Sequence, residues 1–158
     1  MMSTNDIPCA ITDGETILAT VNIPASPERL YQALTTKEME TWWGEDGIYH
    51  VRNWRSDARA GSEWTLDVML PDGTALPASG EFLLVDEPNK FVITRRYDWD
   101  APILGRTVTT VTYLLDKTEH GTRVTVRHDG FKGYAQAAYE HADGWQRFLG
   151  WLRRYFVH

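Results

Sequence analysis

Little in this 158-residue chain has the spacing that chemistry demands. Its one cysteine, Cys9, has no second thiol for an internal disulfide and stands outside any metal or redox motif. The histidines His50, His120, His128, His141 and His158 are too irregularly spaced to ligate a metal, and neither HExxH nor CxxC occurs. There is no glycine-rich dinucleotide or phosphate loop and no GxSxG elbow. Paired carboxylates do not stand out. On these grounds no catalytic residue, metal or cofactor is assigned.

The informative charge is Arg95. It falls in a strand-like run in which Phe91, Ile93, Arg95, Tyr97 and Trp99 share one face. If that face is the inner one, the guanidinium needs a partner, because a lone buried cation is very costly. A ligand carboxylate or phosphate, gripped bidentately, would serve. The alternatives are a register displaced by one residue, which would leave Arg95 in water, or an internal acid such as Asp67 or Glu81. His128 shares a face with Val124 and Val126 and so points inward, either as a general base or, the commoner state, as a hydrogen-bonded core residue. Tyr113, in step with Val111 and Leu115, is a second inward polar tip; a core tyrosine bonded to the backbone is the simpler reading.

The elements that must position these groups follow from the changing period of the apolar residues. Residues 1–14 read as a flexible arm, and residues 15–158 as a single domain. A strand over 15–23 ends at Pro24. Ser26 caps a short helix with Pro27 at its first position, and Thr35 and Glu38 read as a capping box for a second short helix ending near Trp42 and Trp43. Strands follow over 63–70, 78–86, 90–99, 106–116 and 122–129. Turn residues join them, Pro71-Asp72-Gly73 and Glu119-His120-Gly121 among them, and connections this short imply antiparallel neighbours.

The period then lengthens. Ala138, Ala142, Trp145, Leu149, Leu152 and Phe156 mark one face of a helix over 134–156, widened by Phe148, Trp151 and Tyr155. Gly144 and Gly150 inside it each cost about 1 kcal/mol relative to Ala, which suggests close neighbours. One helix covers about six strands only if the sheet curls around it, and that leaves a space between them. Seven Trp, seven Tyr and five Phe are enough to line or to fill it.

Bulk properties exclude several classes. A net charge of −6 with no basic patch argues against nucleic acid; Arg153 and Arg154 suit the end of a helix. No run of about 18 apolar residues spans a membrane. The first residues carry no export pattern, so the cytoplasm is the default location.

Several stretches together resemble a known family: SPERLYQALTTKEMETWWG, GEFLLVDEPNKFVIT, TVTYLLDKTEHGTRVTVRHDGF and HADGWQRFLGWL. The chain is similar over 16–156 to the activator of heat-shock-protein-90 ATPase homologue family, within the START-like, Bet v 1-like (SRPBCC) helix-grip superfamily. The resemblance implies an α+β helix-grip fold, with a curved antiparallel sheet of six to seven strands around the C-terminal helix and a deep apolar cavity. Relatives in the superfamily bind lipids, sterols and plant hormones, and some are cyclases, aromatases or dehydratases. It implies that Trp42 and Trp43 lie near the cavity mouth, one packed inward and one covering the entrance, and that Arg95 replaces an aromatic common at its position.

The expectation is therefore a small-molecule binding protein, monomeric or homodimeric, for a hydrophobic, lipid- or polyketide-like ligand. The cavity residues expected are Trp42, Trp43, Trp64, Arg95, Tyr97, Trp99, Tyr113, His128, Phe131, Trp145 and Phe148. The alternatives are a cyclase or dehydratase using Arg95, Tyr97 and His128, and a co-chaperone-like module with a chaperone partner, for which the residues themselves offer no support.

Overall fold

Five residues that lie directly across adjacent strands set the floor of the core. Ile17 pairs with His128, His128 with Val111, Val111 with Ile93 and Ile93 with Phe82. All five are buried, so one row of inward side chains crosses five strands. The row exists because those strands alternate, with every second residue turned toward the helix.

The computed structural model describes residues 6–157. In chain order the elements are β1 (Cys9–Thr12), β2 (Thr16–Ile23), α1 (Pro27–Thr35), α2 (Met39–Trp42), β3 (Gly44–Glu45), β4 (Tyr49–Ser56), β5 (Glu63–Met69), β6 (Ala75–Asp86), β7 (Lys90–Tyr97), β8 (Thr109–Lys117), β9 (Thr122–Asp129) and α3 (Ala135–Phe156). The strands form one antiparallel sheet in the order β1-β2-β9-β8-β7-β6-β5-β4-β3. The helix packs against β1 and β2 at one end of that order and meets α2 near the other. This is the helix-grip architecture. No helix among the described residues is long and apolar enough to cross a membrane.

Among the described residues the sheet has nine strands rather than six or seven, and each addition has a local cause. The arm is not loose over 9–12; those residues are β1, paired with β2. The Asp13-Gly14 turn makes the hairpin: Gly14 has φ +95°, and the Asp13 carboxylate accepts from the amides of Glu15 and Thr16. Residues 1–5 of the expected arm lie outside the described residues. The strand β4 escapes an alternation test because it carries a bulge between Arg52 and Arg55, with Asn53 in the left-handed region at φ +61°. Val51 and Trp54 are both buried as a result, at a helix-like spacing of three. The two-residue β3 is too short to show a period.

Ser26 caps α1 as expected, accepting from the Arg29 amide at 3.1 Å with Pro27 at the first turn. The capping box does not form. The Thr35 hydroxyl turns back to the Tyr31 carbonyl at 2.7 Å, and Glu38 makes no side-chain cap. The Glu38 carboxylate instead accepts from the Arg29 guanidinium and from the Tyr155 hydroxyl, the latter at 2.6 Å. The bond to Arg29 joins two ionised groups, which a backbone amide does not offer. Arg29 also lies over the Phe156 ring at 5.1 Å. The last turn of α3 is thus tied to the two short helices.

This tie is testable. Tyr155→Phe should lower unfolding stability by about 1 kcal/mol, and Glu38→Gln by about 1–2 kcal/mol, the smaller end reflecting the partial exposure of the pair. In the double variant the losses should fall short of their sum, because both substitutions break one network; urea unfolding of the four proteins measures the coupling.

Candidate functional site

A cavity of about 240 Å³ lies between α3 and the strands β4 to β7. Its sheet wall is formed by Tyr49, Val68, Leu76, Arg95 and Tyr97, with Trp43 and Trp99 at its edges. Its helix wall is formed by His141, Gly144, Trp145 and Phe148, with the exposed Glu140 and Arg147 at the solvent side. A second, deeper void of about 30 Å³, roughly the share of one water, is lined by Trp54, Trp64, Phe82, Phe91 and Tyr113 among others. Arg95 and Trp43 border both.

The ring wall is held edge to face. Phe148 meets Trp43 at 4.8 Å and Trp145 at 4.9 Å between centroids, both near perpendicular. The Trp43 indole donates to the Tyr49 hydroxyl at 3.2 Å. Trp42 points the other way, buried, its indole donating to the Ala33 carbonyl at 3.1 Å. Trp42 therefore packs beneath Trp43, which alone of the pair forms cavity wall.

A chain of polar groups crosses the cavity. Arg95 Nη2 donates to the Tyr97 hydroxyl at 3.2 Å, and that hydroxyl lies 2.9 Å from His141 Nε2. His141 Nδ1 lies 2.8 Å from the Ala137 carbonyl. A carbonyl can only accept, so Nδ1 carries the imidazole proton and Nε2 accepts from Tyr97. Burial first, then the nearby Arg95 charge, hold His141 down to about 4, against an ordinary 6.5. His141 is neutral at physiological pH.

Arg95 faces inward, as the alternation of β7 requires. Its guanidinium sits over Tyr97 at 5.5 Å and Trp145 at 5.9 Å. Burial disfavours its charge, but the hydroxyls of Tyr97, Tyr113 and Tyr49 favour it, and the balance holds it above the ordinary arginine value. Neither acid considered from the sequence reaches it. Asp67 accepts from Asn53 at 2.9 Å, and Glu81 is exposed on β6.

His128 is the main correction. It is fully buried, but in the central row of the sheet and outside the lining of both voids. The Trp145 indole donates to Nδ1 at 2.9 Å, so Nε2 carries the proton and donates to Thr109 Oγ1 at 2.7 Å. It is a satisfied core histidine, held well below the ordinary imidazole range by burial, then by Arg95 and His141. Phe131 packs on its ring at 4.6 Å and on His141 at 5.3 Å, and it too lies outside both linings. Trp64, its indole bonded to the Thr94 carbonyl at 3.0 Å, and Tyr113, stacked on Phe91 at 4.4 Å, border only the small void.

Sequence reasoning missed Tyr49, His141 and Gly144. His141 follows Ala138 by three and precedes Trp145 by four, so helical spacing places it on the flank of the apolar stripe. Tyr49 was hidden with the bulged β4. Gly144 was read as a point of close approach, and that is overturned: a Cβ there would meet nothing within 4 Å, because it borders the cavity. At Gly150 a Cβ would touch only Pro8, at 3.8 Å.

Residues 24–157 match the protein family described as "Activator of Hsp90 ATPase homolog 1-like protein". No curated protein matches the chain. Among solved structures, a Rhodobacter sphaeroides protein is 17% identical with a TM-score of 0.76, covering 92% of this chain and 95% of that one. A Nitrosomonas europaea protein is 23% identical, TM-score 0.74, covering 91% and 95%. A Chromobacterium violaceum protein is 22% identical, TM-score 0.75, covering 91% and 99%. At such identities the likeness is one of fold.

The two histidines should make the protein acid-sensitive. Both hold fewer protons folded than unfolded once the pH drops below about 6.5. Stability is complete above that value and should fall as the pH goes down toward 4, by up to about 1.4 kcal/mol per unit per histidine. His128→Gln should cost about 1–3 kcal/mol at pH 7.5 and make the decline between pH 6.5 and 5 shallower, as read by urea unfolding. An undiminished decline in the variant would assign it to other groups.

Proposed function

The chain belongs to the family of Activator of Hsp90 ATPase homolog 1-like proteins, and on that premise we propose that it binds a small, largely aromatic molecule in the cavity between α3 and the sheet. The observation that carries this reading is that the side chains leave the space open. At about 240 Å³ it is room for about eight waters at ~30 Å³ each, in an interior otherwise packed with rings. Ligand sites usually run to about 300–1,000 Å³, so the size favours a ligand of about ten heavy atoms over a sterol or long acyl chain. Gly144 supports the reading from the other side. An alanine would make a better helix by about 1 kcal/mol, and there is room for it, yet the position carries no side chain at the cavity wall.

A filled cavity is the test. Gly144→Leu should fold, melt at or above the parent temperature and bind nothing. The parent should be stabilised in thermal-shift assays by some member of a panel of small aromatics, by about 2.7 kcal/mol at a hundredfold excess over Kd. If nothing in a broad panel shifts the parent, or if a ligand shifts both proteins equally, the cavity is not the site.

A second reading has one specific observation behind it. Arg95, Tyr97 and His141 converge as a cation, a hydroxyl and a proton acceptor, which is enough for acid–base chemistry of the cyclase or dehydratase type. His128, the base considered from the sequence, is not part of that set. An enzyme of this kind would dehydrate an aromatic β-hydroxy ketone to its conjugated enone, releasing water and gaining ultraviolet absorbance; ligands that bind without turnover leave a binding protein. The co-chaperone reading rests on the family description alone, and stimulation of an Hsp90-type ATPase is its assay.

A further inference from the structure

Hydrogen-bond donors outnumber acceptors on the cavity wall. Arg95 has five N–H groups, and one of them is used, on Tyr97. The Tyr97 hydroxyl donates to His141 Nε2, and His141 Nδ1 donates to the Ala137 carbonyl, so every bond in the row runs away from Arg95. The Tyr49 oxygen accepts from Trp43, which leaves the Tyr49 O–H to donate. The Trp99 indole N–H is buried with no partner.

Charge points the same way. Among the described residues, the only carboxylate on the lining is that of Glu140, exposed at the solvent side. Against it stand two guanidinia, Arg95 within and Arg147 over the rings of Tyr49 and Trp151 at 6.0 and 5.5 Å. A chain of net charge −6 thus turns a surplus of positive charge toward the space between α3 and the sheet. Rings on Arg95 soften its burial but bind the face of the guanidinium, leaving the fork of N–H groups at its edge without an anion.

We propose that the cavity's ligand is a small aromatic monocarboxylate, its carboxylate gripped by Arg95 and its ring lying among Trp43, Trp145 and Phe148. The proposal rests on the ligand-binding reading above and adds the charge of the ligand to it. Inside the cavity one cation, Arg95, balances one negative charge; Arg147 is exposed at the solvent side, and His141 is neutral. That favours a monoanion over a phosphate dianion. A carboxylate also matches the planar fork of a guanidinium, which an ammonium or an amide does not.

Matched probes separate the two readings. Calorimetric titration at pH 7.5 would compare phenylacetate with phenylacetamide, and 2-naphthoate with 2-naphthamide, pairs that differ in little but charge. The acid of at least one pair should bind ten times or more tighter than its amide. Arg95→Met should abolish that preference while keeping the amide's own binding. Equal binding of acid and amide would overturn the proposal and leave the ligand-binding reading standing. A preference that survives Arg95→Met would overturn it too, by placing the selectivity at Arg147. Failure of both members of both pairs, with no other aromatic bound, would remove both readings together.

Discussion

One helix has to cover the concave side of a nine-stranded sheet, and the rest of the molecule follows from that mismatch. Nine strands laid flat would be about 38 Å across at ~4.8 Å per step, while a helix with its side chains is about 10–12 Å wide. The sheet closes part of the gap by curling. Helix α3 settles on β1 and β2, and α1 and α2 cover part of the remainder. What is still uncovered, over β4 to β7, is spanned by rings rather than by backbone. Rings are large and rigid, so they bridge the distance without filling it, and the cavity is the remainder.

The same geometry explains why one arginine governs the electrostatics of the interior. Arg95 sits near the end of β7, where the floor of the cavity meets the central row of the core. From there its charge reaches both interior histidines, and after burial it is the next cause of their depressed basicity. One of them, His128, is locked between Trp145 and Thr109 and serves packing. The other, His141, is joined to Arg95 through Tyr97 and borders open space. Two histidines with rings only 5.8 Å apart thus have different work, and the difference lies in which neighbours each can reach.

Much of this was legible beforehand, and the failures have physical causes. The central strands alternate regularly, so the inward facing of Arg95, Tyr97, Tyr113 and His128 could be read from period alone. The start of α3 was legible to within one residue, because six apolar positions repeat at helical spacing. β4 was not legible, because its bulge turns a two-residue period into a three-residue one. β1 was legible in principle through Asp13-Gly14, but only four residues, none of them buried, carry little periodic signal. The capping box failed because Glu38 found stronger partners, one of them Tyr155, more than a hundred positions away along the chain.

By itself the sequence determined the faces: which residues point inward, where the long helix runs, and that many rings and one cation must share the interior. These are local matters, set by the period of the backbone and readable one strand or turn at a time. Only the tertiary structure decided what those inward residues meet. Whether Arg95 finds an acid, whether His128 or His141 borders the cavity, and whether Gly144 is crowded or open all depend on the distance between α3 and the sheet. That distance is the outcome of how dozens of side chains pack at once, and no single stretch of the chain encodes it.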